Sequence, residues 1–161
     1  MHPRALALID ELRLGPHPEG GYFREVYRSS CLVAPGDGRS ERSAVTSIYF
    51  LLVDGGCSRW HRVRSDEIWH FYEGDNLDLF LAPPSLDTVN RTCLTRHGEP
   101  TGGMQVAPAG WWQAARTQGA YSLVGCTVAP GFEYSDFSFL CDNPEAMTRL
   151  QRLEPMWLEF I

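Results

Sequence analysis

Between residues 44 and 140 the sequence is a succession of short apolar or alternating segments, each bounded by glycine, proline, aspartate or asparagine. AVTSIYFLLV, EIWHFYEG and LDLFLAP have the length and the β-branched and aromatic content of strands, and the turns DGG (54–56) and EGDN (73–76) separate them. YFREVYRSS (22–30) reads the same way, and further strands are predicted near residues 87–96, 103–106, 112–115, 121–128 and 133–140. Eight or so strands without interleaved helices predict an all-β sandwich or barrel.

Two short helices are predicted to flank the strands. Pro3 begins a segment in which leucine and isoleucine recur at helical spacing. Near the other end, Asn143 is placed to cap a helix that begins at Pro144 with the sequence PEAMTRLQRL. The apolar tail MWLEFI should then dock on the barrel or on a partner subunit. With no linker or repeat along the chain, residues 1–161 are expected to form one domain.

Composition excludes several classes of function. The net charge of −6 and the lack of a basic run argue against a nucleic-acid or anionic-membrane partner. No stretch approaches the roughly 20 apolar residues that span a bilayer, and the N-terminus lacks a signal-peptide pattern. The five cysteines are widely spaced without a C-x-x-C pair, which disfavours a disulfide scaffold or a zinc ribbon. A cytoplasmic location is therefore expected.

Two spaced motifs carry the most specific information. Residues 55–74 follow the pattern G-x5-H-x-V-x3-E-x6-G, and residues 102–113 follow G-x5-P-x-G-x2-Q. These spacings resemble the two motifs of the cupin superfamily. Longer segments sharpen the resemblance to its Cupin_5 family: HPEGGYFREVY (17–27), TSIYFLL (46–52), SRWHRVRSDEIWHFYEGDNL (58–77), PAGWWQAA (108–115) and YSLVGCTVAPGFEYSDF (121–137).

The resemblance covers most of the chain from residue 12 to residue 140. It implies a double-stranded β-helix, the cupin jelly-roll barrel, with the short N-terminal and C-terminal helices packed outside, and it implies a homodimer. No single activity is established for the family, so the resemblance predicts the architecture and leaves the reaction open.

A divalent metal is one alternative that the superfamily implies, because metal-binding cupins supply two histidines and a glutamate from the first motif and a histidine from the second. Transferred position by position, the ligands would be His61, Val63, Glu67 and Gln113. Val63 has no donor atom and Gln113 offers only a neutral amide, which leaves fewer strong ligands than metal sites use. His70 could join only if a β-bulge turned it inward, since residues three apart on a strand face opposite sides.

An acid–base site is the other interpretation of the same residues. His61 and Glu67 on adjacent strands, pointing into an apolar barrel, can tune each other's protonation near neutral pH. In the catalytic hypothesis His61 is the general base or acid, Glu67 is its partner, and Gln113 anchors the substrate. In the structural alternative the pair is a buried imidazole bonded to a carboxylate, with no reaction.

Aromatic side chains are dense around the motifs, as in pockets for planar or sugar-bearing molecules. Alternation from an inward Glu67 places Trp69 and Phe71 on the same inner face, and Tyr49 and Trp112 are further candidates for the pocket wall. Many of these rings can equally be core residues.

The loop HPEGGYFRE (17–25) is a separate candidate element. Its glycine pair permits positive φ and close backbone approach, so that Glu19, with His17, Tyr22 and Arg24, can bring polar groups to the barrel mouth. The alternative is an ordinary turn before the first long strand.

Three functions follow from these residues. The first is a small-molecule enzyme of the isomerase, epimerase or lyase type that uses the His61–Glu67 pair. The second is a non-catalytic module that binds or senses a small ligand in the same pocket. The third is a metal-dependent cupin enzyme with the reduced ligand set His61, Glu67 and Gln113.

Overall fold

The computed structural model describes residues 1–96 and 102–161. Its helices are α1 (Pro3–Glu11) and α2 (Pro144–Leu153), with 3₁₀ turns at Tyr134–Asp136, Leu140–Asp142 and Pro155–Phe160. The strands are β1 (Gly15–Pro16), β2 (Tyr22–Arg28), β3 (Leu32–Val33), β4 (Arg42–Ser43), β5 (Thr46–Val53), β6 (Cys57–Val63), β7 (Asp66–Gly74), β8 (Leu77–Ala82), β9 (Asn90–Leu94), β10 (Met104–Ala107), β11 (Trp112–Thr117), β12 (Tyr121–Ala129) and β13 (Phe137–Phe139).

The strands form two large antiparallel sheets and one small one. The first large sheet has the order β1-β2-β5-β12-β7-β10, and the second has the order β13-β6-β11-β8-β9. The pair β3-β4 stands apart. Side chains from the two large sheets, such as Phe50 and Trp69 on one and Leu79 and Leu81 on the other, share one buried core. The predicted all-β jelly roll is confirmed.

Both helices cover outer faces of the sheets. Leu8 of α1 packs on Leu51 and Leu123 of the first sheet. On the second sheet, α2 and the C-terminal tail form a cluster around Trp60, whose indole N–H donates to the carbonyl of Trp157 at 3.0 Å. The apolar tail therefore docks on this chain's own barrel. Within the described ranges, no helix has the length and apolarity required to traverse a bilayer.

One predicted strand differs from the structure. Residues 133–140 were expected to form a single strand, but a 3₁₀ turn at Tyr134–Asp136 precedes the short β13. The turn places the carboxylate of Asp136 against the guanidinium groups of Arg39 and Arg42. The Asp136 side chain thereby reaches Arg39 in the loop before β4 and Arg42 in β4 itself, where a regular strand would not place it.

A bulge in β6 determines which side chains enter the barrel. Ser58 pairs with Ala115 and His61 pairs with Gln113, so β6 has two residues where β11 has one. The extra residue reverses the alternation between Ser58 and His61. Both therefore face inward, whereas Trp60 between them packs on the outer cluster.

Candidate functional site

A cavity of about 120 Å³ lies inside the barrel against the first sheet. Apolar side chains such as Phe50, Val63 and Trp69 make up most of its wall. Its inner end contains the buried carboxyl groups of Glu19 and Glu67, which are 7% exposed. Its mouth is bordered by exposed or half-buried residues of β2 and of the segment before β13, namely Glu25, Arg28, Glu133 and Tyr134.

The HPEGG loop positions Glu19. Gly20 and Gly21 both have positive φ, at 113° and 71°. A Cβ on Gly20 would lie 2.3 Å from the carbonyl oxygen of Cys57, so only glycine allows the loop to lie this close to β6. The carbonyl of Glu19 accepts a hydrogen bond from the backbone N–H of Arg59 at 3.0 Å, which fixes the loop beside the bulge.

The Glu19 carboxyl group is surrounded by neutral or titratable partners. Oε2 accepts a hydrogen bond from Ser58 Oγ at 2.8 Å and lies 3.3 Å from His61 Nδ1 and 3.9 Å from His17 Nδ1. Burial raises the pKa of Glu19 to about 8, against smaller lowering effects of the Ser58 hydrogen bond and the Arg59 charge. Glu19 therefore carries a proton near neutral pH.

His61 lies behind the cavity wall. Its Nδ1 is 2.7 Å from the carbonyl oxygen of Arg59, and its ring stacks on the lining residue Phe137 at a centroid distance of 5.5 Å. A carbonyl oxygen only accepts, so we assign the proton of the neutral ring to Nδ1. Burial lowers the pKa of His61, and the charge of Glu67 acts in the opposite direction.

A chain of donors fixes Glu67. The indole N–H of Trp69 can only donate, and it bonds Gln113 Oε1 at 2.9 Å. This orients the amide so that Gln113 Nε2 donates to Glu67 Oε2 at 2.5 Å. Burial raises the pKa of Glu67, while His61 and Gln113 lower it. Trp69 and Gln113 therefore hold the carboxyl group at the wall of the cavity.

Two further titratable groups complete the inner end. His17 packs edge-on against Phe23 and Phe50, with centroid distances of 4.4 and 5.2 Å, and burial lowers its pKa to about 4. Burial also raises the pKa of Cys126, which hydrogen-bonds Glu67. The inner end thus contains protonatable carboxyl groups beside unprotonated imidazoles, an arrangement that can both give and accept protons near neutral pH.

The structure brings together some of the residues predicted from sequence. Glu19, Glu67 and Trp69 line the cavity. His61 and Gln113 are buried directly behind them. Phe71 packs against the core and does not line the cavity.

Tyr49 and Trp112 are corrections, because the structure places both outside the cavity. Tyr49 alternates with the inward Phe50 and belongs to the outer cluster under α1. Trp112 alternates with the inward Gln113 and packs in the cluster under α2, where the guanidinium of Arg62 lies 4.5 Å from its ring centroid.

His70 also lies outside the cavity. The pairing of β7 with β12 is regular from Glu67 to His70, and its bulge comes only after Phe71. Strand alternation therefore puts Glu67 and His70 on opposite faces.

Several residues of the site were missed or underweighted by sequence reasoning. Ser58 is three residues from His61, so simple alternation assigns it to the wrong face, and only the bulge brings it inward. Cys126 and Phe137 reach the site from strands far along the chain. Alternation along YSLVGCTV, read with the sheet order, is the one signal that could have indicated Cys126.

The donor set does not fit the metal site of the superfamily. Val63 lines the cavity at the position of a ligand histidine, and the amide of Gln113 is engaged by Glu67 and Trp69. In residues 1–96 and 102–161, no three histidine, cysteine, aspartate or glutamate side chains are arranged to hold a metal ion. These residues therefore do not form a metal site of the type found in metal-binding cupins.

Comparison with known proteins agrees with this architecture. The model of the Cupin_5 family, described as "Cupin superfamily (DUF985)", matches residues 6–140. A hypothetical protein from Leishmania major is 31% identical, with coverage of 92% of this chain and 97% of that one and a TM-score of 0.76. A protein from Shewanella oneidensis is also 31% identical, with coverage of 91% and 94% and a TM-score of 0.75.

More distant structures share the fold alone. Oxalate decarboxylase from Bacillus subtilis is 12% identical, with a TM-score of 0.58 over 85% of this chain and 33% of that one. No curated protein matches the sequence significantly. The family match over most of the chain, together with the barrel, shows that the protein belongs to the Cupin_5 family of the cupin superfamily.

Proposed function

We propose that this protein is a small-molecule enzyme that transfers protons to and from carbon, in a reaction of the isomerase, epimerase or lyase type. One observation carries the proposal: two buried carboxyl groups, Glu19 and Glu67, meet at the inner end of a single apolar cavity, with His61 3.3 Å from the first. Paired acids in a low-dielectric site can hold one proton between them and exchange it with a substrate.

The residues divide the work in the following way. Glu67, held by the amide of Gln113, takes the proton from a substrate carbon, and the electron pair of the broken C–H bond moves onto an adjacent carbonyl group. The proton returns to the substrate from Glu67 itself or from Glu19, which carries one near neutral pH when no cation is paired with it. His61, which the Arg59 carbonyl holds through Nδ1, lies 3.3 Å from Glu19 and is a positioning residue for it. The reaction is redox-neutral, because only protons move between the substrate and the protein.

Solvent hydrogen exchange tests this proposal. A panel of ketoses, hydroxy acids and amino acids is incubated with the protein in deuterium oxide, and deuterium incorporation at carbon is followed by proton NMR. We expect incorporation into at least one class and a loss of about 100-fold or more in Glu67→Gln, because general acid–base groups contribute on that scale. Glu145→Gln, the same change at an exposed site on α2, is the matched control.

His61 has its own control. His61→Asn retains a donor for the Arg59 carbonyl, and we expect it to shift the pH profile of exchange, whereas His70→Gln on the opposite face should not. Exchange that is unchanged in Glu67→Gln would contradict the proposal.

A non-catalytic binding module is the second candidate. It is favoured by one observation: apolar side chains make up most of the cavity wall, as in pockets that hold a small ligand. A compound that binds in the cavity and shows no exchange at carbon would support this candidate over the enzyme.

A further inference from the structure

The charges that line the cavity are unequal. Four glutamates reach it, Glu19 and Glu67 at the inner end and Glu25 and Glu133 at the mouth. Among the described lining residues, Arg28 alone has a fixed positive charge. It is bonded to both mouth glutamates, at 2.9 Å each, so its charge is already balanced there. The inner end receives no compensation from it.

The two inner carboxyl groups have no cation in contact. Within the described parts of the chain, no arginine nitrogen lies within 4.0 Å of Glu19 or Glu67. Their hydrogen-bond donors include the uncharged Ser58 and Gln113. The neighbouring His61 is disfavoured as a cation because burial lowers its pKa. Since a buried carboxylate is unfavourable unless it is paired, these groups ionise more readily when a cation enters the cavity beside them.

Aromatic rings surround the same space. His17 packs edge-on against Phe23 and Phe50, and Trp69 packs on Phe50 with a centroid distance of 5.9 Å. Phe137 closes the wall on the other side. Ring faces attract organic cations, and a combination of rings and carboxylates is the environment in which ammonium groups are bound.

We propose that the ligand of this cavity is a small organic cation, an ammonium group on a short apolar skeleton, whose charge pairs with Glu19 and Glu67 and whose alkyl groups contact the surrounding rings. The inference deepens the proposed function and rests on it for the location of the substrate. A metal ion is a poorer complement, since the donor set does not fit one and the walls are apolar.

Protonation of Glu19 adds a specific consequence. Because the pKa of Glu19 is about 8, a cation that pairs with it near neutral pH displaces a proton. Binding should therefore tighten from about pH 6 to about pH 8 and release protons into the buffer. Calorimetry in buffers of different ionisation enthalpy measures that release.

Three probes of one shape test the charge. Choline, its neutral carbon isostere 3,3-dimethylbutan-1-ol and the anion 3,3-dimethylbutanoate share a trimethyl head and differ in charge. We expect choline to raise the melting temperature and to bind at least about ten-fold more tightly than the alcohol, with no binding of the anion. Equal binding of choline and the alcohol, preference for the anion, or no binding of choline would overturn the inference.

Matched variants locate the effect. Glu67→Gln preserves an acceptor for Gln113 and removes the charge, so the preference for choline over the alcohol should fall, and Glu19→Gln should abolish the proton release. Glu145→Gln should change neither. A preference that survives in both cavity variants would contradict the site. This experiment measures binding and the exchange experiment measures turnover, so either proposal can fail while the other stands.

Discussion

Two buried polar clusters in this barrel are built in opposite ways. Near the cavity mouth, Asp136 bonds both Arg39 and Arg42, and all three side chains are 5% exposed or less. At the inner end of the cavity, Glu19 and Glu67 line a mostly apolar space, and the imidazoles of His17 and His61 lie beside Glu19. In the first cluster the carboxylate is paired with guanidinium groups, whereas in residues 1–96 and 102–161 no arginine contacts the carboxyl groups of the second.

The difference distinguishes polar side chains that are buried to stabilise the fold from polar side chains that are buried for function. A paired cluster loses stability when one member is removed, because the others remain buried and charged. An unpaired cluster already reduces stability, so neutral substitutions there should be tolerated or stabilising. Sites in which stability is given up are those at which function is expected.

The paired cluster should be the most sensitive to substitution. Asp136→Ala leaves two buried guanidinium groups without their common acceptor, and we expect a loss of about 3–5 kcal/mol in the free energy of unfolding. Urea denaturation measures it. Glu145→Ala, which removes the exposed pair with Arg149, should change stability by less than about 0.5 kcal/mol. Similar losses of unfolding free energy in Asp136→Ala and Glu145→Ala would show that the buried ion pairs do not stabilise the fold more than an exposed one.

The unpaired cluster should make stability depend on pH. The pKa of Glu19 rises from 4.5 in the unfolded chain to about 8 in the fold, so its contribution is full below pH 4.5 and is lost as pH rises to about 8. The pKa of His17 falls from 6.5 to about 4, so its contribution is full above pH 6.5 and is lost as pH falls to about 4. The two effects offset each other between about pH 4.5 and 6.5, so the free energy of unfolding should be greatest in that range.

Glu19→Gln isolates the alkaline side of that profile. The variant should match the wild type near pH 4.5 and exceed it by on the order of 2 kcal/mol above pH 8, since it has no carboxylate to bury. Chemical denaturation across the pH range measures the difference. Two parallel profiles would show that Glu19 is not the group responsible.

The donor chain to Glu67 should be visible in paired substitutions. Glu67→Leu leaves the amide of Gln113 without its acceptor, whereas Glu67→Gln preserves one. We expect the leucine variant to be about 1–3 kcal/mol less stable than the glutamine variant in thermal melts at one pH. If the Glu67→Leu variant is as stable as the Glu67→Gln variant, the Gln113 amide has another hydrogen-bond acceptor in the leucine variant.

Added metal should have the smallest effect. With Val63 at a ligand position and Gln113 engaged, zinc or manganese should change the melting temperature negligibly and remain substoichiometric in protein purified without chelator. One tightly bound metal per chain, lost in His61→Ala, would contradict this.

The homodimer expected from the family also remains a prediction, and light scattering measures the oligomeric state.

Local sequence patterns predicted most of the strands and both helices. Asn143 caps α2 as expected, with its side chain 3.0 Å from the backbone nitrogen of Ala146, because capping depends on residues within one turn. Alternation from Glu67 correctly separated Trp69 from His70, because β7 is regular over that stretch. Alternation gave no information on which face of β5 is inner, and Tyr49 was therefore misplaced. Alternation from the inward Gln113 would have put Trp112 on the outer face, where it lies.

The sequence by itself determined the strands, their alternation and the residues of the two motifs, since these depend on neighbours along the chain. The tertiary structure decided that Glu19 meets Ser58, 39 residues away, and that Gln113 meets Glu67, 46 residues away. The first contact depends on the bulge in β6, and the second joins β11 and β7, which belong to different sheets. Register is set by the packing of whole sheets, so no local pattern specifies which polar side chains share the cavity.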